Sequence, residues 1–134
     1  MDASHPMPHT SPVPIVVALV AGIFLFLGAM FVAYSRAAAD FYGIASHDRA
    51  ALFYVRAIGF RDLALAAYLL GLSALGGRRA LAIVLAATIV IPMGDIALLI
   101  LSGTARAIHF ILHGASLLCF AGLALWAHAD ARRG

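Results

Sequence analysis

The chain has 134 residues, 64% hydrophobic and 11% charged, with a formal charge of +3 and a mean hydropathy of +1.02. A soluble domain of this length has too little interior to hide so much apolar side chain, so lipid must solvate much of it. Basic residues are all arginine and acidic ones all aspartate, with no basic stripe or aromatic platform, which argues against nucleic-acid binding.

In chain order, residues 1–13 carry three prolines among the first twelve positions and no Lys or Arg, and read as a disordered tail. Four apolar runs follow, near Pro14–Tyr34, Leu52–Leu75, Arg79–Leu101 and Arg106–His128. Each is about 20 residues long, the length of one helical crossing of the hydrocarbon. Residues 129–134 form a C-terminal tail. The "AAAD" at 37–40 resembles a signal-peptide cleavage site. The tail lacks a positive n-region and the first run exceeds a normal h-region, so that run is kept as a membrane helix.

Between runs one and two, "RAAADFYGIASHDRA" reads as a long loop, whereas "GGRR" and "SGTA" are tight turns. Tight turns make the second, third and fourth helices antiparallel neighbours. The sequence therefore predicts an all-α integral membrane protein, an antiparallel four-helix bundle in one domain spanning 14–128. Both termini share one side with Arg78, Arg79, Arg132 and Arg133, against Arg36, Arg49 and Arg106 on the other. The positive-inside rule then favours cytoplasmic termini; the expected location is a membrane, the cell inner or plasma membrane if the chain is bacterial.

An aspartate at a helix centre costs roughly 2.5–3.5 kcal/mol on insertion scales, so Asp95, inside "VIPMGDIALLI", needs a partner. Measured from the long-loop side, Arg56 lies about one turn into the second helix and Arg61–Asp62 roughly 14 Å in. Asp95 lies roughly 9 Å before the third helix exits there. His109 and His113 follow at one and two turns of the fourth. All six fall in one half of the bundle, where opposite charges can pair.

Pro92 lacks an N–H and is expected to interrupt the third helix near Thr88. Gly94 and Gly114 are expected to admit close neighbours. His109 and His113, four apart, share a face, whereas Arg61 and Asp62 point about 100° apart. Two histidines and one distant acid make a weak metal set, and neither a metal nor another cofactor is expected. Cys119 is alone, which excludes an internal disulfide and dithiol redox chemistry; it reads as apolar filler. The aromatics Tyr34, Phe41–Tyr42, Phe53–Tyr54 and Trp126 read as an interfacial belt, with the lining of a pocket mouth as the alternative.

The motifs "RAIGFRD" (Arg56, Gly59, Arg61, Asp62), "PMGD" (Pro92, Gly94, Asp95) and "HG" (His113, Gly114) resemble a family of small four-helix membrane proteins from bacteria and fungi. That family is known as a domain of unknown function, and the resemblance runs from about Gly43 to Trp126. It implies a four-helix membrane bundle and carries over no catalytic role. Small multidrug transporters share the length and helix number, but they centre on an acid in their first helix, and this first run contains none.

The leading expectation is a polar pocket within the membrane for a lipophilic small molecule. Asp95 is the candidate general acid or base, His113 its partner in proton transfer, and Arg61 the group that holds an oxyanion or carboxylate. Arg56, Asp62 and His109 are expected to contribute to substrate binding. The alternatives are a membrane scaffold or subunit whose ion pairs only lock helices, and a small proton-coupled carrier. The bilayer is the expected partner, and a homo-oligomer is compatible with the sequence.

Overall fold

The structure, a computed structural model, describes residues 12–75 and 77–132; the tail expected at residues 1–13 lies almost wholly outside them. All regular structure among the described residues is helix: α1 (Val13–Ala33), α2 (Ser35–Tyr42), α3 (Arg49–Leu75), α4 (Arg78–Thr88), α5 (Val90–Ser102) and α6 (Ala107–Ala131). Four stretches are long and apolar enough to cross a membrane, namely α1, α3, α4 with α5 (Arg78–Ser102), and α6. At most 28% of the most apolar window of each is buried inside the protein, so most of that surface is left for lipid. The chain is a multi-pass membrane protein.

Near the expected position the third crossing is broken at Ile89. Pro92 cannot donate to the Thr88 carbonyl. The Ile89 N–H instead donates back to the Ala86 carbonyl at 3.2 Å, a tighter turn than α-helix. The Thr88 hydroxyl donates to the Val84 carbonyl at 2.7 Å, a back-bond that tends to bend helices.

The stretch between the first two crossings is not the plain loop expected. Its Ala-rich first half forms α2, burying Ser35, Ala38, Ala39 and Tyr42, the i, i+3, i+4, i+7 stripe of an amphipathic helix. Gly43, at φ 107°, ends it in the left-handed cap conformation that glycine adopts freely. Asp48 then starts α3, its Oδ2 accepting the Ala51 N–H at 2.8 Å, an N-cap bond.

Packing also departs from the expected neighbours. The closest helix pairs are α1 with α3 and α4 and α5 with α6, while α3 and α4 touch little despite the tight turn between them. The bundle is thus two hairpins. In the first, Gly28 and Gly59 press backbone to backbone: a Cβ built on either meets the other's carbonyl oxygen at 2.8 Å. This is the small-residue contact of membrane helices. Gly94 and Gly114, expected to play that part, have open space beside them.

Around the terminal half, Val13, Val17, Leu69, Leu81, Leu85, Phe120 and Ala127 belong to one apolar core drawn from α1, α3, α4 and α6. Arg78 Nε pairs with Asp130 Oδ2 at 3.5 Å at that end. Polar side chains collect in the other half, toward α2.

Candidate functional site

Each hairpin delivers part of a buried polar cluster. On α5 the buried residues Pro92, Asp95 and Leu99 form one face at i, i+3 and i+7, so the helix that buries Leu99 also turns Asp95 inward. On α6, His113 lies one turn beyond His109. On α3, Asp62 shares its inward face with Leu65, Ala66 and Leu69. The remaining member comes from α2, whose last residue is Tyr42.

Asp95 is the hub. Its Oδ1 accepts the Tyr42 hydroxyl at 2.8 Å and lies 3.7 Å from Arg61 Nη1. Its Oδ2 is 3.3 Å from His113 Nδ1. The other ring nitrogen, Nε2, is 3.2 Å from the Tyr42 carbonyl, and the Tyr42 and His113 rings meet edge-on at 4.8 Å between centroids. A carbonyl can only accept, so Nε2 carries a proton. Nδ1 is thereby turned to the Asp95 carboxylate.

Arg61 is held from one side. Its Nε and Nη2 both donate to Asp62 Oδ1, each at 3.1 Å, while Nη1 makes no hydrogen bond among the described residues. Sequence neighbours on a helix diverge, yet the long arginine folds back across that divergence. Arg61 and Asp62 cancel in formal charge within α3, and on the other hairpin Asp95 faces His113.

Tyr42 lies on α2, between the first two crossings. Burial pushes its hydroxyl well above the ordinary phenol range, and the hydrogen bond to Asp95 pushes the same way.

Beside the cluster is a cavity of about 380 Å³ between the hairpins. Its polar end is Tyr42, Arg61, Asp62, Asp95 and His113; its walls include Phe24, Leu27, Ile91 and Phe120. Ser116 and Cys119, one and two turns along α6 from His113, also face it. The volume is at the small end for ligand pockets, and the mix of apolar wall with a few convergent polar groups is typical of them.

Four of the six candidate residues therefore come together: Arg61, Asp62, Asp95 and His113. His109 stands apart. It is buried, but its Nδ1 accepts the Arg106 backbone N–H at 3.0 Å, and its ring packs where a Cβ at Gly43 would meet it at 2.6 Å. It ties the start of α6 to the end of α2. Arg56 is exposed, its guanidinium 5.6 Å from the centre of the Phe53 ring, and it lines a separate surface cavity. Among the described residues no three His, Cys, Asp or Glu side chains converge as metal ligands do.

Sequence reasoning missed Tyr42, Ser116 and Cys119. The spacing of Ala38, Ala39 and Tyr42 was the available signal for α2. Cys119 lies on the α6 face that His113 and Ser116 define.

No curated protein and no solved structure matches the chain. Residues 21–127 match the family described as a domain of unknown function (DUF4267). This extends the motif-bearing region back into α1, the helix that supplies Gly28 and part of the cavity wall. The chain belongs to this family, DUF4267.

Proposed function

We propose that this membrane protein binds a lipophilic small molecule with an anionic or carbonyl head in the cavity between its two hairpins. The supporting observation is Arg61: two of its nitrogens are fixed by Asp62, while Nη1, without a hydrogen bond, belongs to a side chain that lines an otherwise largely apolar cavity. A guanidinium hydrogen-bonded on one edge, and on the other only facing Asp95 at 3.7 Å, keeps donors to offer a carboxylate or oxyanion. The apolar walls accept the rest of the molecule.

Acid–base chemistry at the bound head group would use Asp95, with His113 as its partner. Asp95 is the member able to exchange a proton with a ligand, because both His113 nitrogens face protein acceptors. His113 then acts by orienting Asp95. Asp62 serves as the anchor of Arg61.

Small molecules extracted from the purified protein into organic solvent test this reading. A compound retained by the wild type should be lost from Arg61→Gln, which removes the head contact, and from Ser116→Phe, which fills the cavity. A compound retained equally by all three proteins rules the cavity out as its site.

A second reading has its own support. Among the described residues no buried side-chain nitrogen or oxygen lacks a hydrogen-bond partner, as a purely structural lock between hairpins also requires. In that case the wild type itself retains no compound, and the variants change only stability.

A further inference from the structure

Arg56 leads to a second site. On α3, Arg49, Leu52, Phe53 and Arg56 fall at i, i+3, i+4 and i+7 and share one face. That face meets the junction of α1 and α2 at Tyr34, Ser35 and Arg36, and together they line a cavity of about 620 Å³. His47 closes it from the connection before α3. Three arginines thus line one cavity, and no carboxylate does. The nearest acid in sequence, Asp48, is occupied in capping α3. None of Arg36, Arg49 and Arg56 has an ion-pair partner among the described residues.

The position is as informative as the charge. The cavity sits where two membrane crossings end and begin, at Ala33 and Arg49. From Arg49 to Arg56 the helix rises roughly 10 Å, enough to cover the headgroup layer of one leaflet. Tyr34 and Phe53 are exposed aromatics at that level, where such rings commonly settle. Phe53 also lies beneath the Arg56 guanidinium, which orients it by cation–π contact.

We propose that this cavity binds a phosphate-bearing anion at the membrane surface, the phosphodiester headgroup of an anionic phospholipid. Arginine forks match phosphate oxygens in pairs, and a basic recess between helices at headgroup depth is the arrangement that recognises such lipids. The site is separate from the cavity that holds Arg61, and its occupation does not depend on what that cavity binds.

Native mass spectrometry of the full chain, released from nanodiscs of phosphatidylcholine with phosphatidylglycerol, tests this. The wild type should retain phosphatidylglycerol in preference to phosphatidylcholine. Arg49→Gln/Arg56→Gln should weaken that preference roughly thirtyfold, a factor of about 5.4 for each arginine. Arg79→Gln/Arg132→Gln, at the other end of the bundle, should leave it intact. Thermal stability of both variants in pure phosphatidylcholine should match the wild type, which checks folding. Competition with millimolar inorganic phosphate separates the sources: a lipid that phosphate does not displace identifies the headgroup, and displacement to an empty site identifies a soluble phosphate and overturns the lipid assignment. Equal retention of the two lipids by the wild type, or an unchanged preference in Arg49→Gln/Arg56→Gln, overturns the proposal.

Discussion

Arg61 on α3 and Asp95 on α5 face each other at 3.7 Å across the seam between the two hairpins. Neither depends on the other alone. Arg61 is hydrogen-bonded to Asp62 on its own helix, and Asp95 accepts the Tyr42 hydroxyl and faces His113 Nδ1 at 3.3 Å. The Arg61–Asp95 separation is longer than a hydrogen bond, so attraction across the seam is electrostatic and leaves the Nη1 hydrogens without a hydrogen-bond acceptor among the described residues.

A double-mutant cycle on this pair separates lock from site. Asp95→Asn should lower unfolding stability by about 1.5–5 kcal/mol, from the loss of a charge-assisted hydrogen bond at the low end to a broken buried pair at the high end. Thermal unfolding in one detergent, with Arg61→Gln and the double variant, gives the coupling. Recovery of most of the loss in the double variant identifies a lock. A small loss accompanied by disappearance of the co-purified ligand identifies a site.

Tyr42→Phe should cost about 1.5–3 kcal/mol, the value of a hydrogen bond to a charged acceptor. The phenolate absorbance of wild type minus variant reports the titration of Tyr42. It should rise well above pH 10, the ordinary phenol value being about 10. The folded protein keeps the neutral phenol to higher pH than the unfolded chain. The stability this supplies is complete below about pH 10 and is lost as pH rises through the folded value. A difference titration at the ordinary phenol value would contradict the buried hydrogen bond.

How much of this was legible in the sequence is clearest from single residues. The four crossings follow from apolar length, and Asp95 with Arg61 and His113 follows from depth along the helices. Depth without direction misplaces Arg56. Five residues before Arg61, it points about 140° away, and it lines the surface cavity instead. His109 has the depth and the face, but the start of α6 needs its ring to receive a backbone N–H. Tyr42 was hidden because α2 is short, half polar in composition and ended by glycine, so its stripe is easily read as loop. The hairpin pairing was hidden because Gly28 and Gly59 matter through their contact in space, whereas Gly94 and Gly114 drew attention beside charged residues.

Gly28→Ala and Gly59→Ala should each destabilise the protein by about 1–3 kcal/mol, the usual range for overpacking. The added methyl meets backbone, which cannot swing aside. Gly71→Ala, on the same α3 with open space beside it, should instead be neutral or gain up to about 1 kcal/mol from helix propensity. Thermal unfolding of the three variants in one detergent decides; equal effects at positions 59 and 71 would remove the argument for a close crossing.

Four crossings place the start of α1 and the end of α6 on one side of the membrane. Single cysteines replacing Pro12 and Arg132, in a Cys119→Ser background, should be labelled together by an impermeant thiol reagent, from the same side of sealed vesicles. Labelling from opposite sides would mean that one crossing does not form.

The division of the polar cluster has an electrical consequence. Arg61 and Asp62 belong to one hairpin and cancel, so their pair brings no net charge to the seam. Asp95 and His113 belong to the other hairpin. A displacement of the Arg61–Asp62 hairpin would therefore carry none of this cluster's charge through the membrane field, where a full elementary charge would exchange about 2.3 kcal/mol per 100 mV.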